Sequence, residues 1–304
     1  MLSVTARLSG LKTSEGGCVS AARRSPTARH RRLIAELRRL RAASGKSRQE
    51  VAALVGTTDI TLWRHETGLS RPTPADVAAL LEVYGLAGEA RGTLLEMARE
   101  ARKRGWWHRY RHTLKPGFDS YIGLEAEGSV LRTYQPQVVP GLLQTEAYAR
   151  AVIGATATDP APSEIEEQVA VRMSRQDLVT RPDDPIRLVA VLDEAVFRRR
   201  VGGPGTMRGQ LFHLLEMSDL RNVEIRAVPF AAGAHCAMDG PFCLLEFPDP
   251  GDPGVVYLEQ AASGMVLEEP EELRRYALMF AGLLARALSP DETVVLIASA
   301  AQDG

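Results

Sequence analysis

Residues 47–72, SRQEVAALVGTTDITLWRHETGLSRP, constrain this chain more than any other stretch, because their local signals admit two short helices joined by a tight turn. Ser47 and Glu50 have the spacing of a capping box, in which a hydroxyl and a carboxylate satisfy two backbone N–H groups that the helix leaves orphaned. Val51, Leu54 and Val55 then fall on one face, and Ala52 and Ala53 are small enough for a neighbour to pack closely. Gly56 stops this helix. Thr57 or Thr58 caps a second one running to about Thr67, and Gly68 supplies a left-handed exit. Pro72 forbids helical continuation and leaves Arg71 free to meet a phosphate. In such a hairpin the second helix can enter a DNA major groove about 12 Å wide while the first lies across the backbone. An ordinary helical hairpin of an all-α domain satisfies the capping box alone; the full string is more demanding.

Ser47, Arg48, Gln49, Glu50, Ala52, Gly56, Thr58, Thr61, Arg64, Glu66, Gly68 and Pro72 resemble the phage-repressor-like, or XRE-type, helix-turn-helix family. That resemblance implies DNA contact by the residue after the first cap and by the early outward residues of the second helix. Here these are Arg48, Asp59, Ile60, Trp63 and Arg64; Thr58, Thr61 and Arg71 complete the expected DNA-binding set. Arg64 suits a bidentate contact to guanine, and Arg48 suits a phosphate or a base edge. Asp59 departs from the neutral or basic residues usual at its place. It can accept from cytosine N4 or favour the helix N-terminus, at some cost near phosphates. His65 stands where the family places an apolar residue, which implies a neutral, packed ring, and Leu62 belongs to the inner face.

Charge distribution points the same way. The chain of 304 residues has a formal net charge of -1, but residues 1–112 hold 21 Lys+Arg against 10 Asp+Glu, and residues 113–304 hold 16 against 28. A basic reader joined to an acidic domain follows from these halves, as does an affinity for DNA that falls with salt. A basic half that merely balances an acidic one in a soluble protein has the same arithmetic.

The length suffices for two domains, and 45% hydrophobic with 25% charged residues is the composition of a soluble globular protein. No apolar run approaches the roughly 20 residues of a membrane span. The first 25 residues are basic and rich in Ser, Gly and Thr without the apolar centre of a secretory signal, and read as a disordered arm. Three cysteines, Cys18, Cys236 and Cys243, lack ligand spacing, and their odd number favours a reducing cytoplasm. Lysine occurs only at positions 12, 46, 103 and 115, a bias of a high-GC genome.

Helical periodicity predicts helices over 28–43, 74–84 and 86–104, so that the motif sits in a five-helix bundle. The run RKRGWWHRYR ends the basic half; its aromatics and arginines can stack on bases, but a linker whose Trp106 and Trp107 dock on the neighbouring domain is favoured. His108 and His112, with no third ligand nearby, read as surface histidines. Beyond residue 113 the pattern predicts a helix over 123–131, an extended segment over 132–144, a short helix over 146–153, and a helix opened by a Ser163/Glu166 capping box and running to about Thr180. Strands over 186–192, 223–229, 242–247 and 255–259 alternate with helices over 204–219 and 270–288, and the last segment suits helix or strand. The expected class is a multi-domain chain: an all-α helix-turn-helix bundle (26–104), then an α+β domain with a small sheet (105–304).

The strings GWWHRY, YIGLEAE, RTYQPQVVPGLLQTEAYARAVI, LDEAVFRRRVGGP, VPFAAGAH and DGPFCLLEFPD resemble the C-terminal domain of unknown function of actinobacterial XRE-type regulators. Cys236 departs from the small residues usual at its place. The resemblance implies antitoxin-like regulators, often encoded beside a small protein, and supplies no catalytic residue. His235, Cys236 and Asp239 share one loop, yet adjacent residues in an extended loop point apart, so His235 and Cys236 are poorly placed to share a proton. No P-loop, nucleotide fingerprint, HExxH or GxSxG occurs, so no catalytic, cofactor or metal role is expected, and an enzyme of unknown activity in the C-terminal domain is the remote alternative. The loop suits a ligand or partner surface, or a structural turn. The expectation is a cytoplasmic, nucleoid-associated regulator, a repressor that binds a pseudo-palindromic operator as a homodimer with half-sites about 34 Å apart. Its C-terminal domain is expected to serve dimerisation, binding of a small protein from an adjacent gene or, alternatively, sensing of an effector.

Overall fold

The computed structural model describes residues 28–103, 105–157 and 160–302. The expected basic arm, residues 1–25, lies outside the described residues.

Five helices form the N-terminal bundle: α1 (Ala28–Ala43), α2 (Arg48–Leu54), α3 (Asp59–Glu66), α4 (Pro74–Val83) and α5 (Gly88–Glu100). Leu33, Leu37 and Leu40 of α1 meet Val51, Leu62, Val77, Leu80, Leu81 and Leu94 in one buried cluster. The apolar stripe of α1 thus closes the bundle over the hairpin, as its spacing requires. The fifth helix is shorter than its periodicity predicts. Leu86 N–H donates to the Leu81 carbonyl, which assigns Leu86 to the exit of α4 and delays the next helix to Gly88.

A short 3-10 turn, Trp106–Tyr110, leads into the second domain. Its elements run α6 (Phe118–Glu127), β1 (Val130–Gln135), α7 (Glu146–Thr156), α8 (Pro162–Arg175), α9 (Asp177–Thr180), β2 (Arg187–Asp193), α10 (Ala195–Arg198) and α11 (Pro204–Ser218). They continue with β3 (Val223–Val228), β4 (Phe242–Glu246), β5 (Val255–Glu259), β6 (Gly264–Leu267), α12 (Pro270–Leu284) and α13 (Pro290–Gln302). The six strands make one mixed sheet in the order β3-β2-β1-β4-β5-β6, with β1, β2 and β3 parallel and the other neighbours antiparallel.

Alternation along β2 shows how the sheet is covered. Leu188, Ala190 and Leu192 enter a cluster with Leu211 and Leu214 of α11 and Ile297 of α13, whereas Val189 and Val191 meet Phe280 and Leu283 of α12. The unbroken apolar run of β2 follows from burial on both faces. Ser289 caps α13 in a box with Glu292, which resolves the last segment as helix.

Two expectations in this half are corrected. The helix placed over 123–131 begins at Phe118 and ends at Glu127, because Gly128 turns to extended backbone and Leu131 is then a buried strand residue paired to Leu188. The Ser163/Glu166 capping box does not form. Pro162 starts α8 two residues earlier, Ala161 N–H donates to Glu164 at 3.2 Å, and Glu166 instead accepts from Arg150 at 2.8 Å. The short strand β6 and the one-turn α10 carry too few residues for a periodic signal and went unpredicted.

Candidate nucleic-acid interface

The hairpin is fixed by caps at both of its helix starts. Glu50 N–H donates to Ser47 Oγ at 3.2 Å, and Ser47 N–H donates to Glu50 Oε2 at 2.7 Å. Thr58, rather than Thr57, caps α3, accepting from Thr61 N–H at 3.1 Å. Gly56 and Gly68 carry φ of 71° and 75°, left-handed values that a side chain disfavours, and they bracket α3. Leu62 is buried at 1% exposure, so the face of α3 away from it is fixed outward.

That outward face carries Ile60 at 66% exposure, Trp63 at 42% and an exposed Arg64. Large apolar side chains held in water by a capped helix gain nothing for folding. Thr58 is exposed and Thr61 half-exposed at the start of the same helix, their hydroxyls 2.8 Å apart. Thr61 is therefore drawn into the cap.

Arg48 and Asp59 are brought together, which sequence reasoning did not foresee. Arg48 Nε and Nη2 donate to the two Asp59 carboxylate oxygens at 2.6 and 2.9 Å, tying α2 to α3. The guanidinium holds the Asp59 carboxyl below its usual range, and the carboxylate raises Arg48. Asp59 thus positions an arginine, and one edge of the Arg48 guanidinium, Nε and Nη2, is engaged before any ligand arrives. A second fork, Arg41 Nε and Nη2 to Glu66 at 2.6 and 3.1 Å, fixes α1 to the end of α3.

Arg71 is corrected. Expected to stand free for a phosphate, it is half-buried at the junction of the domains, where burial lowers its pKa and Glu127 of α6 opposes that effect. Its backbone carbonyl accepts from Arg102 at 3.1 Å. His65 is half-buried, and desolvation lowers its pKa, in keeping with a neutral ring. Nearby His30, 1% exposed, is pushed down to about 4, first by burial and then by the charge of Arg71.

The acidic domain meets the basic one mainly along α1. Arg31 reaches Asp252 at 3.3 Å and Glu268 at 3.0 Å, Arg32 reaches Asp249 at 2.8 Å, and Arg29 N–H donates to Glu127 at 2.7 Å. A groove of about 1170 Å³ runs beside this contact, lined by Arg38, Arg39, Arg48 and Trp63 on the bundle and by Asp249, Asp252, Glu268 and Glu269 opposite. The two halves of opposite net charge are thus in contact here, a pairing that the sequence reading did not anticipate. On the outer face of α3, Ile60 and Arg64 stay exposed, while Trp63 lines the bundle side of this groove.

Residues 32–94 match a family described as a helix-turn-helix domain. The N-terminal bundle thus carries a helix-turn-helix domain, the kind of domain found in DNA-binding regulators. Residues 118–299, more than half of the chain, match the family described as Domain of unknown function (DUF5753). The chain belongs to that family. No curated protein and no solved structure matches the chain. In this DUF5753 member the matched region spans the whole sheet and the helices packed on it, so the domain is an α+β unit with a six-stranded mixed sheet. Among the described residues, no helix is long and apolar enough to cross a membrane.

In the same domain, the His235 loop separates the side chains that its sequence places side by side. His235 Nδ1 accepts from Ala237 N–H at 3.2 Å and its Nε2 lies 3.2 Å from Tyr134 Oη, whereas Cys236 Sγ donates to the Met279 carbonyl at 3.2 Å. Asp239 is exposed. His112 pairs with Glu167 at 3.0 Å. Trp107 is half-buried and Trp106 stays 40% exposed, so the tryptophan pair docks unevenly on the second domain.

Proposed function

We propose that the chain is a sequence-specific repressor of the XRE type, which inserts α3 into the major groove and binds a pseudo-palindromic operator as a homodimer. The observation that carries this reading is the outward face of α3, where Ile60, Trp63 and Arg64 are held in solvent by caps at the helix start and a glycine exit. Arg64 reads a guanine, Ile60 and Trp63 supply apolar contact to thymine methyls and sugar edges, and Arg48, preset by Asp59, takes the phosphate beside them. Thr58 and Thr61 add backbone contacts at the start of the helix. Arg71 acts at the domain joint.

In this reading the protein works in the cytoplasm, on the nucleoid when bound. The DUF5753 domain supplies dimerisation and an antitoxin-like contact to a small protein encoded nearby, and its His235 loop performs no catalysis, since the imidazole and the thiol serve different partners. The support for the partner is the likeness of the C-terminal strings to actinobacterial regulators. A second reading, control by a small-molecule effector, is favoured by a cavity of about 510 Å³ between β1, α8 and residues 136–144.

Footprinting of the full chain on the DNA upstream of its own gene, with and without the product of the adjacent gene, tests the proposal. Two protected half-sites about 34 Å apart are expected, with protection altered by the neighbouring product. Uniform coating of the DNA at all concentrations contradicts sequence-specific repression.

A further inference from the structure

The second domain encloses a cavity of about 510 Å³, inside the range of about 300–1,000 Å³ typical of pockets for small organic molecules. Much of its lining is apolar, including Phe118, Tyr121, Leu142 and Ile153, and Tyr121 stacks on Tyr257 with ring centroids 4.1 Å apart. Five charged side chains also line it: Lys115, Arg172 and Arg175 against Glu125 and Glu259. One cation is therefore in excess.

The pairing identifies which one. Arg175 Nε and Nη2 each donate to Glu125 at 2.7 Å, and the guanidinium lies over the Phe118 and Tyr121 rings. Lys115 Nζ pairs with Glu259 at 3.3 Å. Arg172 has only the Gln144 side-chain oxygen, which accepts from Nη1 at 2.9 Å; among the described residues no carboxylate lies within ion-pair reach of it. Gln144 is itself held, donating to the Val139 carbonyl at 2.6 Å, so Arg172 is anchored at one end with Nε and Nη2 unengaged. Crowding by protein and the neighbouring Arg175 charge push Arg172 down to about 10, which still leaves it charged at neutral pH. A crowded cation with no carboxylate hydrogen-bonded to it contributes little to folding, even with Glu259 and Glu125 acting on it from a distance. Tyr257 Oη, on the same lining, is buried with no hydrogen-bond partner. Neither feature serves the packing of the sheet.

We propose that this cavity binds a small apolar monocarboxylate, with the carboxylate on the Nε–Nη2 edge of Arg172 and the apolar body along Tyr121, Leu142 and Ile153. The planar edge of a guanidinium matches a carboxylate with two parallel hydrogen bonds. A single excess positive charge suits a monoacid better than a doubly charged phosphate. The inference deepens the effector reading by naming a site and a ligand class, and it stands whether or not the reader helix binds DNA as proposed.

Calorimetry and thermal shift on the full chain with butyrate, octanoate and phenylacetate, each against its amide, test it. At least one acid is expected to bind once per chain and raise the melting temperature, with its amide at least about tenfold weaker, the loss expected for a charge-assisted hydrogen bond. Arg172→Gln is expected to weaken the acid to the same degree, and Arg208→Gln, on the exposed side of α11, to leave it unchanged. Should Arg172→Gln fail to fold, protection of Arg172 in the wild-type chain from an arginine-specific dicarbonyl by the bound acid replaces it. No binding by any acid, equal binding of acid and amide, or unprotected Arg172 overturns the proposal. Operator binding by the ligand-free chain is scored separately, so failure of the DNA-reading account does not count against the cavity.

Discussion

Arg48 and Asp59 join the two helices of the reader by the same two-pronged hydrogen bond that joins Arg175 to Glu125 beneath the sheet, with donor distances of 2.6 and 2.9 Å in one and 2.7 Å twice in the other. Geometry does not distinguish them; surroundings do. The reader's pair is about one-third exposed, so water screens it and its removal leaves two solvated groups. The sheet's pair is almost fully buried, so either member alone becomes an uncompensated charge in a poorly hydrated place. Identical chemistry therefore aims a side chain at a ligand in one domain and holds the wall of a cavity in the other.

The largest expected effect breaks the buried pair. Glu125→Gln leaves the buried Arg175 without its hydrogen-bonded carboxylate and beside the Arg172 charge, and is expected to cost about 3–5 kcal/mol of unfolding free energy, read by denaturant titration. Glu125→Leu with Arg175→Met is expected to recover most of that loss, since replacing both partners removes both charges. A single substitution with the stability of the wild type breaks the contrast.

Next comes pH. His30 is held near 4 in the folded bundle against an ordinary value of 6.5, so the unfolded chain takes up the proton first. Stability is complete above 6.5 and falls as the pH is lowered toward 4, by about 2 kcal/mol between pH 6.5 and 5. His65, lowered in the same direction, adds to the slope. Denaturation of the N-terminal transition across that range checks the prediction, and His30→Phe is expected to flatten the curve. Flat stability in the wild-type chain contradicts the burial argument.

The smallest effect on stability concerns the exposed pair. Asp59→Asn is expected to leave the melting temperature nearly unchanged while binding to non-specific DNA tightens severalfold, because a negative charge is removed and Arg48 is released. Measured at two salt concentrations, this separates a positioning carboxylate from a base-reading one. If Asp59 accepts from cytosine instead, its substitution weakens the operator and spares other sequences.

The hairpin was legible because its signals are local. Ser47 lies three residues from Glu50, Gly56 and Gly68 sit where left-handed backbone is needed, and the stripe of α1 repeats within four residues. The strand LVAVL of β2 was legible for a similar reason, as an apolar run too short for a helix. What escaped the sequence depends on distance along the chain. Arg175 meets Glu125 across 50 residues, Arg31 meets Asp252 across 221, and no periodicity links either pair. Helix ends moved wherever a single proline or glycine outweighed a longer pattern, as Pro162 and Gly128 did. The half-buried surroundings of Arg71 were not legible because its neighbours, Glu127 and Arg102, come from other elements.

The outward face of α3 carries the whole account of DNA reading, and Arg64 is its sharpest element. Affinities of the full chain and of Arg64→Ala for the footprinted operator, and for every single-base-pair variant of it, test this face most directly. The account predicts a loss of about 1–3 kcal/mol on the operator, with discrimination erased at one base pair in each half-site and kept at the rest. Retention by Arg64→Ala of the wild-type preference at every base pair contradicts it.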